Sequence, residues 1–202
     1  RDASLEFIPD EDLQKLETFA RRIRGEIFFA NKWLLVEGQS EYQLVHGMAK
    51  AMNFDLDEHG VAVIDFANNG NCGMFTALAR ALGFAWTMVV DGDLAGNQYI
   101  ASVRARNFSP AEVAQLTRQI AGQTLEHQLV ADGLQVELKG ILTAQSVPGV
   151  AAMDDAALIT TLSGDKCGYA AELAAQCAAS SALTQRMPLA IREAIETLRG
   201  LP

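Results

Sequence analysis

Two acidic clusters stand directly past two apolar runs. The first is Trp33-Leu34-Leu35-Val36-Glu37-Gly38-Gln39-Ser40-Glu41, and the second is Trp86-Thr87-Met88-Val89-Val90-Asp91-Gly92-Asp93. Short β-rich runs that end in carboxylates are costly to arrange for packing alone. They make sense where several oxygen ligands converge on a hard divalent cation. Glu37 and Glu41 are four residues apart across a strand-to-helix turn, so a helix starting near Gln39 points both to one end of a sheet. Glu41 also reads as a solvated first-turn residue favoured by the helix dipole. Asp91 and Asp93 are two apart and face the same way in an extended chain. Gly92 between them permits a backbone turn, and an ordinary Asp-Gly turn is the alternative. Each half alone is a common pattern, and the combination is the stronger signal.

The elements that must position these groups follow from periodicity. Residues 10 to 24 read as a helix with Leu13, Leu16, Phe19, Ala20 and Ile23 near one face. Leu34 to Val36 reads as a buried strand, and Ser40 to Met52 as a helix with Leu44, Val45, Met48 and Ala49 inward. Val61 to Ile64 is a second strand, and Asn68-Asn69-Gly70-Asn71 a turn. Residues 72 to 82 make a helix closed by Gly83, and Trp86 to Val90 a third strand. Strand and helix alternating in this way predict parallel βαβ units. Such units hold ligands at the carboxyl ends of their strands, where both acidic clusters lie. Asp65 and Asn69, after the second strand, are expected to line the same edge. From Pro110 onward alanine, leucine and glutamine dominate. Helices are predicted near 110–120, 124–131, 154–162, 166–179 and 188–199, with 134–143 open between helix and strand and 146–149 a loop. A fourth parallel strand is hard to find: it is either short, near Arg118 to Ala121, or replaced by the helical insertion.

Composition narrows the function classes. The chain has 202 residues, half of them hydrophobic and 20% charged, as in a soluble globular protein. No apolar run approaches the roughly 20 residues that span a bilayer. The N-terminus lacks a basic-then-apolar signal pattern, so the expectation is a cytoplasmic protein without a membrane partner. A net charge of −9 argues against a broad basic nucleic-acid-binding face. It leaves room for a nuclease, because bound metal ions offset clustered carboxylates. Cys72, Cys167 and Cys177 form no C-x-x-C pair and no even disulfide set. His46, His59 and His127 are scattered, so zinc hydrolysis has no ligand set. The sequence around Ser40 lacks the last glycine of a nucleophile elbow, and no Walker loop occurs.

The stretch Leu34 to Glu41 resembles the L-V-E-G-x-S-E motif of the OLD (overcoming lysogenisation defect) nucleases, a branch of the Toprim proteins. Val89-Val90-Asp91-Gly92-Asp93 is similar to that family's second acidic motif. Thr124-Leu125-Glu126-His127 resembles its T-L-E segment, and Gly164-Asp165-Lys166-Cys167-Gly168-Tyr169-Ala170-Ala171 resembles its late D-K-x-G-x-A helix start. The resemblance runs over roughly residues 28 to 180, and its first two motifs are the most specific.

The resemblance implies an α/β Toprim fold, Rossmann-like, with a parallel sheet flanked by helices and an additional helical subdomain. Residues 1–30 would lead into a Toprim core at 31–108, and a mainly helical region at 109–202 would pack on it and complete the site. It implies DNA cleavage with two divalent ions, Mg²⁺ or Mn²⁺. Ca²⁺ is expected to bind while supporting little cleavage. Glu37, Glu41, Asp91 and Asp93 would be the main ligands, with Glu126 able to bind a metal or contact a ligand. Lys166 would stabilise the charge of the reacting phosphate. From the residues alone, Lys166 is a cation at a helix start, an electrostatically poor place, and reads equally as solvent-exposed. OLD proteins join an ABC-type ATPase to a C-terminal Toprim nuclease. The missing Walker loop fits a chain that resembles only the second part, with the ATPase domain of the same full-length polypeptide as a partner. The oligomeric state of this fragment stays open, a monomer included. Two other classes compete. One is another Toprim activity, although a topoisomerase needs a tyrosine nucleophile and Tyr42, Tyr99 and Tyr169 lack a supporting motif, and a primase would be expected to carry a zinc module that these cysteines cannot provide. The other is a catalytically silent metal-binding or protein-interaction module.

Overall fold

The computed structural model describes residue 14 and residues 26–164 and 166–201, without the side chains of residues 26, 166 and 167. The helix predicted over 10–24 lies outside the described residues. A four-stranded parallel sheet forms the frame, in the order β2-β1-β3-β4. Its strands are β1 (Lys32–Val36), β2 (Val61–Asp65), β3 (Ala85–Val90) and β4 (Thr117–Gln119). The register aligns Val36 with both Asp65 and Val89, so the ends of the three main strands lie level.

Helices fill the crossovers: α1 (Gln39–Ala51), the single turn α2 (Phe66–Asn69), α3 (Cys72–Leu82), α4 (Leu94–Arg104) and α5 (Pro110–Leu116). After β4 come α6 (Leu125–Ala131), α7 (Gln135–Ala144), α8 (Asp155–Gly164), α9 (Lys166–Ala179), α10 (Ser181–Arg186) and α11 (Leu189–Gly200). Parallel strands buried on both faces read as continuous apolar runs, and β1 divides its own between two cores. Leu34 and Val36 join α1 and the later helices on one face. Trp33 and Leu35 pack with residues of α3, α4 and α5 on the other.

Strands β1, β2 and β3, the α1 and α3 helices and the Gly83 cap (φ 71°) fall where periodicity puts them. Two expectations are corrected and two open ones are resolved. The helix predicted over 110–120 ends at Leu116, and residues 117–119 form β4. The fourth strand is this three-residue piece near Arg118, so the sheet takes its last strand from beyond residue 108. The open segment 134–143 is helical as α7, and the turn expected at 68–71 begins inside the helical turn α2, which takes in Asn68 and Asn69. Helices α4 and α10 were not anticipated. α4 is short of apolar residues at core spacing and buries only Gly96 and Val103. α10 is a single capped turn and a half.

Candidate metal-binding active site

Glu37 is the first residue past β1, and its Oε2 accepts the backbone N–H of Asp91 at 3.1 Å. That bond ties the ends of β1 and β3 together through the two acidic clusters. Glu41 sits in the first turn of α1, 6% exposed, with its Oε2 folded back to accept the Gly38 N–H at 3.1 Å. Desolvation drives its pKa up to about 7, with further push from Glu126 and Glu37. The helix start favours an anion there, but burial outweighs it.

Asp91 follows β3. Burial raises its pKa to about 8, and the charges of Glu41, Glu37, Glu126 and Asp93 add to the effect. Its Oδ1 is buried and has no hydrogen-bond partner among the described residues. Asp93 does not continue an extended run beside it. It caps α4, with Oδ1 accepting the Gly96 N–H at 2.8 Å. Gly92 is required for space rather than for an unusual turn. A Cβ there would overlap the carbonyls of Ile120 and Gly122, which close over the acidic loop from the end of β4. The Gln119 amide donates to the Asp91 carbonyl at 3.1 Å and braces the same loop.

Glu126 comes from the start of α6, about thirty-five residues beyond Asp91, yet is buried at 4% exposure within electrostatic reach of Glu41 and Asp91. Its Oε2 accepts from the Thr124 hydroxyl at 2.9 Å and its Oε1 from the Tyr169 hydroxyl at 3.0 Å. Asp65, which ends β2, is buried beside the Glu37 turn. It accepts from the side-chain amides of Gln39, Asn68 and Asn69. The side chain of Lys166 lies outside the described residues, though its backbone opens α9. Sequence reasoning missed Ser40 and Tyr169 as parts of this site. Ser40 lies inside the first motif, and Tyr169 follows Lys166 by three residues, so both were within reach of a motif-centred search. Tyr169 is fully buried and bonded to Glu126, which removes it as an exposed nucleophile.

The donors are all hard carboxylate oxygens, the type that Mg²⁺ and Mn²⁺ take. Buried like charges and an orphaned acceptor on Asp91 describe a place where a cation would relieve a real electrostatic cost. Among the described residues, however, no three of these groups already converge as a set that could hold a metal ion. Glu37 is engaged by the Asp91 amide, Glu41 by the Gly38 amide, and Glu126 by Thr124 and Tyr169. Cation binding would displace protons from Glu41 and Asp91, whose pKa values are raised to about 7 and about 8.

Comparisons with known proteins bear on the domain type and the fold. Residues 28–93 match the family model of the overcoming lysogenization defect protein-like Toprim domain. A curated protein of Escherichia coli (strain K12), the uncharacterized protein YbjD, is 34% identical over 125 residues, which is 61% of this chain and 22% of that protein. The chain thus spans about a fifth of that relative's length. The C-terminal region of the Burkholderia pseudomallei OLD protein superposes with a TM-score of 0.68 at 21% identity, covering 85% of this chain and 98% of that one. The C-terminal region of the Xanthomonas campestris pv. campestris OLD protein gives 0.67 at 22% identity, covering 87% and 95%. The shared architecture is the parallel sheet flanked by helices.

Proposed function

We propose, for a chain that carries an OLD-like Toprim domain over residues 28–93 in the fold of OLD C-terminal regions, that it is a divalent-metal-dependent nuclease domain acting on DNA. The observation that carries the reading is the buried, unpartnered Oδ1 of Asp91 among the carboxylates of Glu37, Glu41 and Glu126. Those four, with Asp93, are the residues that would hold Mg²⁺ or Mn²⁺. Ions bound there would supply Lewis acidity to a phosphodiester and lower the pKa of water.

The chain's own residues have distinct tasks in this reading. Glu37 and Asp91 fix the ends of β1 and β3 against each other, so the ligands approach from a rigid base. Glu41 and Asp91, held partly protonated by burial, release protons as cations enter. Lys166, at the start of α9, would stabilise negative charge on the reacting phosphate. In a full-length polypeptide an upstream ATPase domain would govern access to the site.

The silent-module reading draws on a specific observation: among the described residues no three of the carboxylates converge as a set that could hold a metal ion. One experiment separates the two. Supercoiled plasmid DNA incubated with the chain and Mn²⁺ is expected to be nicked, and EDTA is expected to stop it. Mn²⁺ binding by calorimetry without nicking would instead establish a silent metal-binding module.

A further inference from the structure

Nothing in the proposed chemistry uses Tyr169, yet its side chain is 0% exposed and touches the acidic site directly. Burying a phenol is costly unless the hydroxyl is paired. This hydroxyl donates to Glu126 Oε1 at 3.0 Å and also hydrogen-bonds the side chain of Ser40. Ser40 is buried in the turn that carries Glu37 and Glu41. One phenol therefore joins three segments far apart in sequence: the β1–α1 turn, the start of α6, and α9. Behind it α9 lies tight on α1. A Cβ added at Gly47 would overlap the backbone carbonyl of Ala174. α9 is thus registered on α1 by a backbone contact at one end and by the phenol at the other. Lys166 opens the same helix three residues, about one turn, before Tyr169.

Resting on the nuclease reading above, we propose that Tyr169 is a positioning residue, whose hydroxyl holds Glu126 oriented toward the ligand cluster and locks the start of α9 against the β1–α1 turn. Partners of this kind orient metal-binding carboxylates, and their loss typically costs about 10- to 100-fold in metal affinity or activity. A purely packing role makes a different demand. It would move stability and leave the metal response alone, because phenylalanine preserves the ring.

The test is a double-mutant cycle on the 202-residue chain. Mn²⁺ affinity is measured by calorimetry, and the Mn²⁺ dependence of plasmid nicking in parallel, for wild type, Tyr169→Phe, Glu126→Ala and the double variant. Tyr169→Phe is expected to weaken Mn²⁺ binding by about 10- to 100-fold and to raise the Mn²⁺ needed for half-maximal nicking to match. In the Glu126→Ala background the same change is expected to have no further effect on Mn²⁺ affinity. Unchanged affinity in Tyr169→Phe, or a loss that persists in full without Glu126, overturns the proposal. If Tyr169→Phe does not fold, Ser40→Ala removes the phenol's second partner and keeps the ring. Unchanged Mn²⁺ affinity in that variant also overturns it. A wild-type chain that binds Mn²⁺ without nicking DNA fails the nuclease reading alone, and the calorimetric cycle still decides the role of Tyr169. A wild-type chain that binds no Mn²⁺ overturns both.

Discussion

Two aspartates flank the end of β1 on the same sheet edge and live in opposite surroundings. Asp65 ends β2, and amides of Gln39, Asn68 and Asn69 point at its carboxylate. Asp91 follows β3 among Glu37, Glu41, Glu126 and Asp93, with one oxygen buried and unpartnered. Neutral donors stabilise a buried carboxylate as it stands, so Asp65 is a brace. Like charges leave one dependent on a proton or a cation, and the proposed metal site at Asp91 rests on that dependence. Position on the fold is therefore a poor guide to role, and the polarity of the neighbours decides it.

The sharpest way to break this contrast is to remove Asp91 or Glu37. Either change to Ala is expected to lower Mn²⁺-dependent nicking by more than about 100-fold, beyond the usual cost of losing an outer partner. The fold should survive, as read by circular dichroism. Near-normal cleavage by both variants would strike the site out. Lys166→Ala is expected next, with nicking down by roughly 100-fold at nearly unchanged Mn²⁺ affinity, since an electrostatic contact to developing charge is worth a few kcal/mol. Lys166→Arg should restore only part of the rate, because a guanidinium is larger and differently shaped.

Asp65→Ala tests the other side of the comparison. It leaves amide donors without their acceptor, so calorimetry should find the chain destabilised by about 2 kcal/mol. Nicking per folded molecule should fall far less than in Asp91→Ala. A variant as stable as wild type but inactive would make Asp65 a ligand rather than a brace.

The smallest effect is on pH dependence. Asp91 is raised to about 8 and Glu41 to about 7, above the ordinary 3.8 and 4.5 of exposed Asp and Glu. The folded chain therefore holds protons that the unfolded chain has released. Stability of the metal-free chain is present in full below about pH 4 as far as these two groups decide it, and it is lost as pH rises through about 7 to 8. Urea titrations between pH 5 and 8.5 should show this decline, and Asp91→Asn should flatten it. A wild-type stability that rises across this window without metal would contradict the carboxylate repulsion.

Much of the frame was legible because period and burial are local signals. Residues 33–36 are a continuous apolar run and residues 85–90 one broken only by the buried Thr87, as strands buried on both faces require. The α1 and α3 helices carry their inward residues at helical spacing. β4 was nearly invisible because three residues, Thr117 to Gln119, show no period. They are a strand only because β3 is there to pair with them. α4 was missed because its contact with the sheet is slight and its apolar stripe correspondingly weak.

For the site, residue type and spacing alone determined that Glu37, Glu41, Asp91 and Asp93 would stand at strand ends on one edge, because parallel βαβ units leave no other place for those loops. Only the tertiary structure decided how they differ. It turned Asp93 into the cap of α4, drew Glu126 and Tyr169 in from distant helices, and surrounded Asp65 with amides and Asp91 with carboxylates. Those outcomes depend on which groups pack around each carboxylate, and hence on desolvation and charge at distances of a few ångströms. Sequence separation carries no record of such distances, since segments more than forty residues apart, such as Glu126 and Tyr169, meet at 3.0 Å.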